Sequence, residues 1–364
     1  MAQPFSFGFS GDDIEIDADR DQGPPAVAPA AASTATQPEP AHVPAQVHNV
    51  AELLQTLPDK ISYATQEIES PSGKILALPR RELFDVRVQL MAEDDGSNSE
   101  PVTGLDEADI RTNVYEGGFK TWECSIDLAK LLLDRGPRKD IDDLCRVDHV
   151  VELGCGTAIP TLVLFHHALT QSLPLYFTLA DYNLPVLRLV TLPNLILTWA
   201  STLPADSPLF TPDTPNPFHP DHPTTDHGDL YLTPALVAAF QSALADCPLT
   251  LTLVSGSWAP PAAFLDLVPS SEHMNTFVLA SETIYSPAAL CAFADACVAL
   301  LRRVRLGKAL VAAKRVYFGV GGGVDAFKEE AAARGAVVAE VENSGVDMGE
   351  GAGVRRCLLE VQMM

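Results

Sequence analysis

Short apolar runs alternate with helical stretches along most of the chain after residue 120. The runs lack clean alternation of polar and apolar residues, which is typical of strands buried on both faces of a sheet. Seven segments share this pattern: residues 149–153, 175–180, 249–254, 276–280, 309–313, 336–341 and 356–361. Their alternation with helices predicts a doubly wound α/β fold with mostly parallel strands. The last two runs have no helix between them, which predicts an antiparallel hairpin at the sheet edge.

Helical spacing of apolar residues predicts helices at 122–133, 288–301 and 324–334. The first of these is expected to end near Gly136 and Pro137, a typical helix stop. Ahead of this regular region, residues 83–88 alternate in polarity and predict a strand.

The chain divides into three regions by composition. Residues 1–45 are acidic and rich in proline and alanine, which predicts a disordered tail. Residues 46–111 form an N-terminal extension that includes an acidic loop at 91–101, and residues 112–364 form the main domain. Eight prolines at 203–234 predict a surface insertion in that domain. The insertion contains His219, His222 and His227, but no cysteine or carboxylate cluster accompanies them, so no metal site is expected.

The formal net charge is −24 over 364 residues, with an isoelectric point of about 4.6. So acidic a surface repels a phosphate backbone and makes direct nucleic-acid binding unexpected. It suits a basic partner, although it can also serve solubility alone. The seven cysteines show no C-x-x-C spacing, which argues against a disulfide framework and a structural zinc site. No signal peptide and no apolar run of about 18 residues is visible, so we expect a soluble intracellular protein without a membrane segment.

A glycine turn follows the first apolar run, in the sequence E-L-G-C-G from Glu152 to Gly156. Gly154 and Gly156 let the backbone bend sharply and let a ligand approach closely, beside the exposed N–H groups of a following helix. A dinucleotide enzyme would place a third glycine where Ile159 stands. A methyltransferase instead has an acidic residue two positions before the first glycine, where Glu152 lies.

Polar residues end the next two runs. Asp181, followed by Tyr182 and Asn183, can accept both hydroxyls of a ribose, or it can cap the next helix. Ser257 and Trp258 suit an adenine pocket. A core tryptophan near a turn would explain the same two residues equally well.

Two further segments lie at the carboxyl edge of the predicted sheet, where ligands bind in open α/β folds. The first, residues 281–287, contains Ser281, Glu282 and Tyr285 and could face a substrate or contain a helix cap at Ser286. The second segment, residues 314–323, contains four glycines beside two aromatic residues. This composition predicts a mobile loop over the site, or a plain turn. The residues expected to contact substrate there are Tyr317, Phe318, Gly321, Gly322 and Gly323.

With these motifs in place, the sequence resembles the protein-histidine N-methyltransferases that modify a large-subunit ribosomal protein. The specific matches are Y-E-G-G-F-K-T-W-E-C at 115–124, S-E-T-I-Y at 281–285 and Y-F-G-V-G-G-G at 317–323. The glycine turn, residues 181–183 with 190–194, and residues 256–258 complete a similarity that spans about 112–361. The resemblance implies a seven-strand Rossmann-like methyltransferase domain with S-adenosylmethionine as donor. It also implies a histidine of ribosomal protein L-three as substrate, and residence in cytosol and nucleus.

The resemblance and the topology together suggest roles for individual residues. Glu282 or Asn183 is expected to bond one ring nitrogen of the target histidine, with Tyr285 or Tyr317 packing on the ring. The residues expected to hold the donor are Trp122, Glu152, Gly154, Cys155, Gly156, Asp181, Tyr182, Asn183, Ser257, Trp258 and Ser281. Glu152 and the glycine turn should hold the methionine end, with Trp122 as a wall.

Three other functions remain open from the sequence. A protein-lysine methyltransferase of the same superfamily would carry the same donor motifs. A catalytically silent scaffold or chaperone for a basic ribosomal protein would suit the acidic surface, although it has no need for a donor pocket. A nicotinamide-dependent reductase is disfavoured by the missing third glycine.

Overall fold

A computed structural model describes residues 43–93, 118–139, 147–219, 226–341 and 355–364. All of them belong to one compact unit, Ala41–Met364. Most of the predicted acidic tail, residues 1–42, lies outside the described residues, as do residues 94–117.

An eight-stranded sheet forms the centre of this unit, in the order β1-β7-β5-β4-β8-β9-β11-β10. Its strands are β1 (Gln46–His48), β4 (His149–Leu153), β5 (Leu175–Asp181), β7 (Leu249–Ser255), β8 (Thr276–Ser281), β9 (Gly307–Lys314), β10 (Ala336–Glu340) and β11 (Arg356–Met363). The five strands from β7 to β9 are parallel, while β11 is antiparallel to both β9 and β10. The seven predicted strands and the antiparallel edge hairpin are therefore confirmed. The sequence did not predict β1, which pairs antiparallel with β7.

Helices cover both faces of this sheet. They are α1 (Val50–Leu54), α2 (Leu83–Glu93), α3 (Glu123–Lys139), α4 (Ile159–Gln171), α5 (Leu184–Ser201), α6 (Pro234–Asp246), α7 (Pro261–Leu265), α8 (Pro287–Arg302) and α9 (Val324–Ala333). Successive residues of β4 face opposite sides, so Val150 joins one apolar core while Val151 and Leu153 join the other. This two-sided burial explains why the strands read as continuous apolar runs.

Helix α5 is long and apolar enough to cross a membrane by length and composition, with a mean hydropathy of 1.3. However, 78% of it is buried inside the molecule, as in the core helix of a soluble protein. Its second turn, Leu187–Thr191, is π-helical.

A second sheet lies outside the main one and has the order β3-β2-β6. Its strands are β2 (Lys60–Glu69), β3 (Ile75–Arg81) and β6 (His227–Tyr231), all antiparallel. The stretch 203–234, predicted as a surface insertion outside the core, is partly buried, because β6 belongs to it, pairs with β2 and buries Leu230. That the stretch is an insertion stays a prediction. Phe218 also packs on the buried Tyr63 ring, with 4.9 Å between ring centroids.

Two of the three histidines of that stretch lie within the described residues. His227 lies on β6 and His219 comes just before residues 220–225, so that His222 lies outside the described residues. Among the described residues, no group of three histidine, cysteine, aspartate or glutamate side chains could hold a metal ion.

Three local predictions are also corrected. Residues 83–88 belong to helix α2 rather than to a strand, because Leu83, Val86 and Leu90 recur at helical spacing and pack against α5. Part of the predicted acidic loop, residues 91–93, continues this helix. Helix α3 runs through Gly136 and Pro137 to Lys139 instead of stopping there.

Candidate functional site

The glycine turn between β4 and α4 bends through three left-handed backbone conformations. Gly154, Gly156 and Ala158 have φ angles of 67°, 50° and 58°. The N–H groups of Gly154 and Cys155 donate to the carbonyl of Ala180 at 2.8 and 3.0 Å, which ties the turn to the end of β5. The turn therefore lies at the carboxyl edge of the parallel strands, where the sequence placed it.

The space between Gly154, Thr283 and Trp258, called the hollow below, has no room for a side chain on residue 154. A Cβ atom at Gly154 would lie 2.9 Å from Thr283 Cγ2 and 3.6 Å from the Trp258 ring. Within the described residues, the buried Thr283 Oγ1 and Trp258 Nε1 have no hydrogen-bond partner. Buried polar atoms are normally satisfied, so both atoms are available to a polar ligand. The turn, the aromatic ring and these two polar atoms are the kinds of group that contact a polar and aromatic donor molecule.

Asp181 connects the ends of two neighbouring strands. One carboxylate oxygen accepts the N–H of Gly156 and the other accepts the N–H of Asn183, both at 3.0 Å. The N-cap of α5 is Asn183, so Asp181 is not the helix cap that the sequence left open. Each of its oxygens can accept more than one hydrogen bond. The ribose role stays a prediction, and the structure places Asp181 where it also fixes the shape of the turn.

Glu152 lies beneath the turn rather than on its open side. It is fully buried, and Oε2 accepts the N–H of Thr161 in the first turn of α4 at 3.1 Å. Oε1 has no partner among the described residues. Burial, more than the nearby Asp181 charge, raises the pKa of Glu152 to about 8. Its predicted contact with the methionine end of a donor is untested, and its visible contact is with the helix that follows the turn.

The burial of Glu152 predicts how stability depends on pH. Because its pKa is raised in the folded state, the folded protein binds the proton more tightly than the unfolded chain. This contribution to stability is complete below the unfolded value of 4.5 and is lost as pH rises towards about 8. We expect chemical denaturation between about pH 5 and pH 8 to show this loss. The free energy of unfolding of wild type should fall relative to that of Glu152→Gln by ~1.4 kcal/mol for each rise of one pH unit. A constant difference between the two proteins would contradict this.

Ser257 and Trp258 follow β7 and contact both the turn and the core. The Trp258 ring approaches the Gly154 position, and it also packs edge-on against Phe293 with 6.1 Å between centroids. Ser257 donates its N–H to the carbonyl of Val43 at 2.8 Å, while its hydroxyl accepts from Ala259 N–H. Residues 43–45, assigned to the tail by composition, thus lie against this part of the site.

Glu282 heads a charged cluster just beyond β8, next to Thr283 of the hollow. It has a φ angle of 57°, a left-handed conformation that is uncommon for glutamate and often marks functional sites. Lys314 Nζ lies 3.4 Å from its Oε1. Burial raises the pKa of Tyr317 and of Cys124, and the Glu282 carboxylate beside them raises both further. Glu282 is therefore surrounded by one cation, a phenol and a thiol.

Lys314, at the end of β9, is a site residue that the sequence analysis missed. Its ammonium also lies 3.6 Å from Glu123 and 5.0 Å from the centroid of the Trp122 ring. Within the described residues, the ring contact of Trp122 is therefore with Lys314 of the Glu282 cluster and not with the glycine turn. The available signal was position, because Lys314 directly follows the fifth apolar run, at the same sheet edge as Glu282.

The glycine-rich loop packs on the backbone that follows Glu282. Gly322 donates its N–H to the carbonyl of Tyr285 at 2.9 Å, and a Cβ there would lie closer than 3.0 Å to the carbonyl oxygens of Ile284 and Tyr285. Phe318 at the loop tip is 78% exposed. The structure thus brings Tyr285, Tyr317 and Gly321–Gly323 together, while Ser286 caps α8 by accepting from Ala289 N–H at 3.2 Å.

The predicted residues form two groups on either side of the glycine turn. The donor group lies at the ends of β4, β5 and β7, and it includes Asp181, Tyr182, Asn183, Ser257 and Trp258. The second group contains Glu282 and Tyr317, which follow β8 and β9, and Trp122, which directly precedes α3 and contacts Lys314. Cys155 is buried, 3.7 Å from the hydroxyl of Thr191, and faces the helix side of the turn. Ser281 is the last residue of β8, between the two groups.

Comparison with known proteins identifies relatives over most of the chain. It is 38% identical over 296 residues to histidine protein methyltransferase 1 of Saccharomyces cerevisiae, covering 79% of this chain and 76% of that protein. It is 36% identical over 283 residues to histidine protein methyltransferase 1 of Schizosaccharomyces pombe, covering 77% and 74%. The Bos taurus homolog is 28% identical over 70% of this chain and 57% of its own length. No protein-family model matches the chain.

Solved methyltransferase structures are similar at a low level. The DszA carbon methyltransferase gives a TM-score of 0.39 at 10% identity, covering 77% of this chain and 64% of its own. The glycopeptide N-methyltransferase MtfA, complexed with sinefungin, gives 0.32 at 12% identity, covering 63% and 87%. Similarity at this level says nothing about function. The family assignment rests on the sequence relatives alone.

The sheet order, the glycine turn and the yeast relatives agree with one another. They confirm the predicted methyltransferase class and S-adenosylmethionine as its cofactor, and they leave the individual site residues as predictions. With 38% identity across more than two thirds of both chains, the protein belongs to the histidine protein methyltransferase family.

Proposed function

We propose that this enzyme methylates one histidine side chain of the large-subunit ribosomal protein L-three. The observation that carries the proposal is the Glu282 carboxylate, held beside Lys314 at the sheet edge next to the hollow at Gly154. A fixed hydrogen-bond acceptor in this place suits a ring that carries an N–H group on one nitrogen and a lone pair on the other.

Histidine requires little activation for this reaction. Its reference pKa of about 6.5 leaves the imidazole mostly neutral at pH 7, whereas a lysine, with a pKa of about 10.4, must first lose a proton. When bound, S-adenosylmethionine supplies a methyl group on a positively charged sulfur, already activated for transfer. The protein therefore has to align the ring nitrogen, exclude water and select the tautomer.

Glu282 is the group best placed for tautomer selection. By accepting the N–H of one ring nitrogen, it directs the lone pair of the other nitrogen towards the hollow. A nitrogen–methyl bond forms as the sulfur–methyl bond breaks, and the methylated ring becomes a cation. Glu282 stabilises that cation and can receive its N–H proton. Lys314 lies 3.4 Å away and holds the carboxylate in position.

Aromatic side chains surround this cluster. Trp122 lies under the Lys314 ammonium, and the Tyr317 hydroxyl is beside Glu282. Either Tyr317 or the half-buried Tyr285 can form a flat surface for the target ring. Asn183, at the start of α5, remains the alternative acceptor, but it lies beyond β4 and next to Asp181 rather than within the charged cluster.

The surface of the protein is consistent with a basic protein partner. The net charge of −24 favours association with a positively charged surface, as most ribosomal proteins present. The exposed Phe318 at the tip of the glycine-rich loop can add apolar contact at the rim. Residence in cytosol and nucleus follows from this substrate and belongs to the proposal.

The experiment is methylation of an extract from Saccharomyces cerevisiae that lacks its own histidine protein methyltransferase 1. Purified enzyme and labelled S-adenosylmethionine are added, and the modified residue is located by mass spectrometry. We expect a methylated histidine in ribosomal protein L-three. Methyl-lysine would instead indicate a lysine methyltransferase, and histidine methylation of another protein would overturn the substrate. Absence of any transfer, with donor binding intact, would support a silent scaffold.

A further inference from the structure

The π-helical turn of α5 lies between the second sheet, β3-β2-β6, and the glycine turn. This second sheet is called the N-terminal sheet below, because β2 and β3 come from the N-terminal part of the chain. In the interior of this helix, Pro193 has no N–H to donate to the carbonyl of Leu189, four residues earlier. That carbonyl instead accepts from Arg81 Nη1 at 2.9 Å. π-Helical turns are rare and frequently lie at functional sites. An arginine from the end of β3 thus completes the hydrogen bonding of a helix in the main domain.

The side chain of Arg81 is fully buried, and each of its three nitrogen atoms donates a hydrogen bond. Besides Leu189, it donates to Asp85 from Nε and to Gln89 from Nη2, each at 2.7 Å. Its backbone N–H donates to Asn194 Oδ1 at 2.7 Å. A buried cation with this many partners fixes geometry, because it cannot move without leaving a charge unpaired.

The other side of the π-helical turn holds the glycine turn. Thr191 donates its hydroxyl to the carbonyl of Gly156 at 2.7 Å, and Asn194 donates its amide to the carbonyl of Thr157 at 2.9 Å. Both side chains are fully buried. These bonds fix the two peptide groups that follow Gly156 and so determine where the N–H groups of Thr157 and Ala158 point.

We propose that Arg81, Asn194 and Thr191 are positioning residues for the methyl donor, and that the N-terminal sheet acts on the glycine turn through them. None of the three is placed in contact with the donor. Arg81 acts on α5 through its bonds to Leu189 and Asn194. From α5, Thr191 and Asn194 act in parallel on the carbonyls of Gly156 and Thr157. The inference rests on the donor lying at the glycine turn, and it does not depend on which side chain is methylated.

The test uses two replacements at one position. Thr191→Val keeps the shape of the side chain and removes its hydroxyl, while Thr191→Ser keeps the hydroxyl and removes a methyl group. Both should lower the melting temperature without donor. By calorimetry with S-adenosylhomocysteine, Thr191→Val should bind about tenfold more weakly, while Thr191→Ser should stay within about twofold of wild type. In kinetics, Thr191→Val should raise the KM for the donor and leave kcat nearly unchanged.

The more distant residue is tested by Arg81→Lys, since lysine cannot reproduce the three guanidinium bonds. We expect about fivefold weaker donor binding. Wild-type affinity in Thr191→Val, or equal weakening in Thr191→Val and Thr191→Ser, would overturn the proposal. Wild-type affinity in Arg81→Lys would overturn the role of the N-terminal sheet. If Arg81→Lys does not fold, the Thr191 pair still decides. Failure of histidine methylation with these binding results intact would count against the proposed function alone.

Discussion

Gly154→Val is expected to abolish binding of S-adenosylmethionine and, with it, all methyl transfer. The new Cβ would lie 2.9 Å from Thr283 Cγ2 and would fill the hollow that faces Trp258. Gly154 also has a φ angle of 67°, a conformation that costs an ordinary residue ~1–2 kcal/mol. Calorimetry with S-adenosylhomocysteine should therefore show affinity reduced by about a hundredfold or more. Circular dichroism should show that the fold remains.

The matched control is Gly73→Ala in the turn between β2 and β3. Gly73 has a φ angle of 80°, but a Cβ there would meet nothing within 4 Å. This variant carries the same kind of backbone cost without filling any space, so its donor affinity should equal that of wild type. Normal activity in Gly154→Val would place the donor elsewhere and remove the basis of the site assignment.

Glu282→Ala is expected to stop catalysis while the donor still binds. The change removes the carboxylate that lies beside Lys314 Nζ at the end of β8 and leaves the glycine turn untouched. Without an acceptor for its N–H, the target ring is no longer held in one tautomer, and we expect kcat to fall by about a hundredfold. The affinity for S-adenosylhomocysteine should stay within about twofold of wild type.

Two further variants separate the interpretations of this result. Glu282→Gln keeps an oxygen that can accept the ring N–H but cannot take up a proton, so its kcat should lie between wild type and Glu282→Ala. Glu272→Ala removes an exposed glutamate that precedes β8 and pairs with Arg305 at 2.9 Å, and it should leave kcat unchanged. If Glu282→Ala kept the kcat of wild type, Asn183 would become the residue to test.

The main sheet could be predicted because each parallel strand is buried on both faces and is followed by a helix. The run at 149–153 matches β4 residue for residue, and the other runs differ from their strands by a few residues at the ends. The glycine turn could also be predicted, since its positive φ angles require the residue types that were read there.

The pairing of β6 with β2 could not be predicted, because it joins residues far apart in the chain. Lys60 pairs with Tyr231 across β2 and β6, and nothing local indicates such a partner. Residues 83–88 were misjudged because their alternation fits a strand, while the helix is decided by packing of Val86 and Leu90 against α5. Tertiary contacts overrode the local pattern in both places.

Part of the candidate site was equally invisible. Glu282 was identified from its motif, but its partner Lys314 comes from the next strand of the sheet, and only the parallel register of β8 and β9 brings them together. Arg81 and Thr191 act through hydrogen bonds to carbonyl groups, and such bonds leave no mark in a single sequence. Motifs show which residues can do chemistry, whereas the groups that hold them require the fold.

The short strand β1 has a consequence for self-association. It pairs Gln46–His48 with the outer strand β7, and the His48 ring contacts Ser255 Oγ at 2.6 Å. An uncovered outer strand offers its backbone as a template for other chains and invites aggregation. Three residues near the N-terminus thus shield this flank, and a chain shortened to begin after His48 would present the backbone of Leu253–Ser255 to any extended peptide nearby.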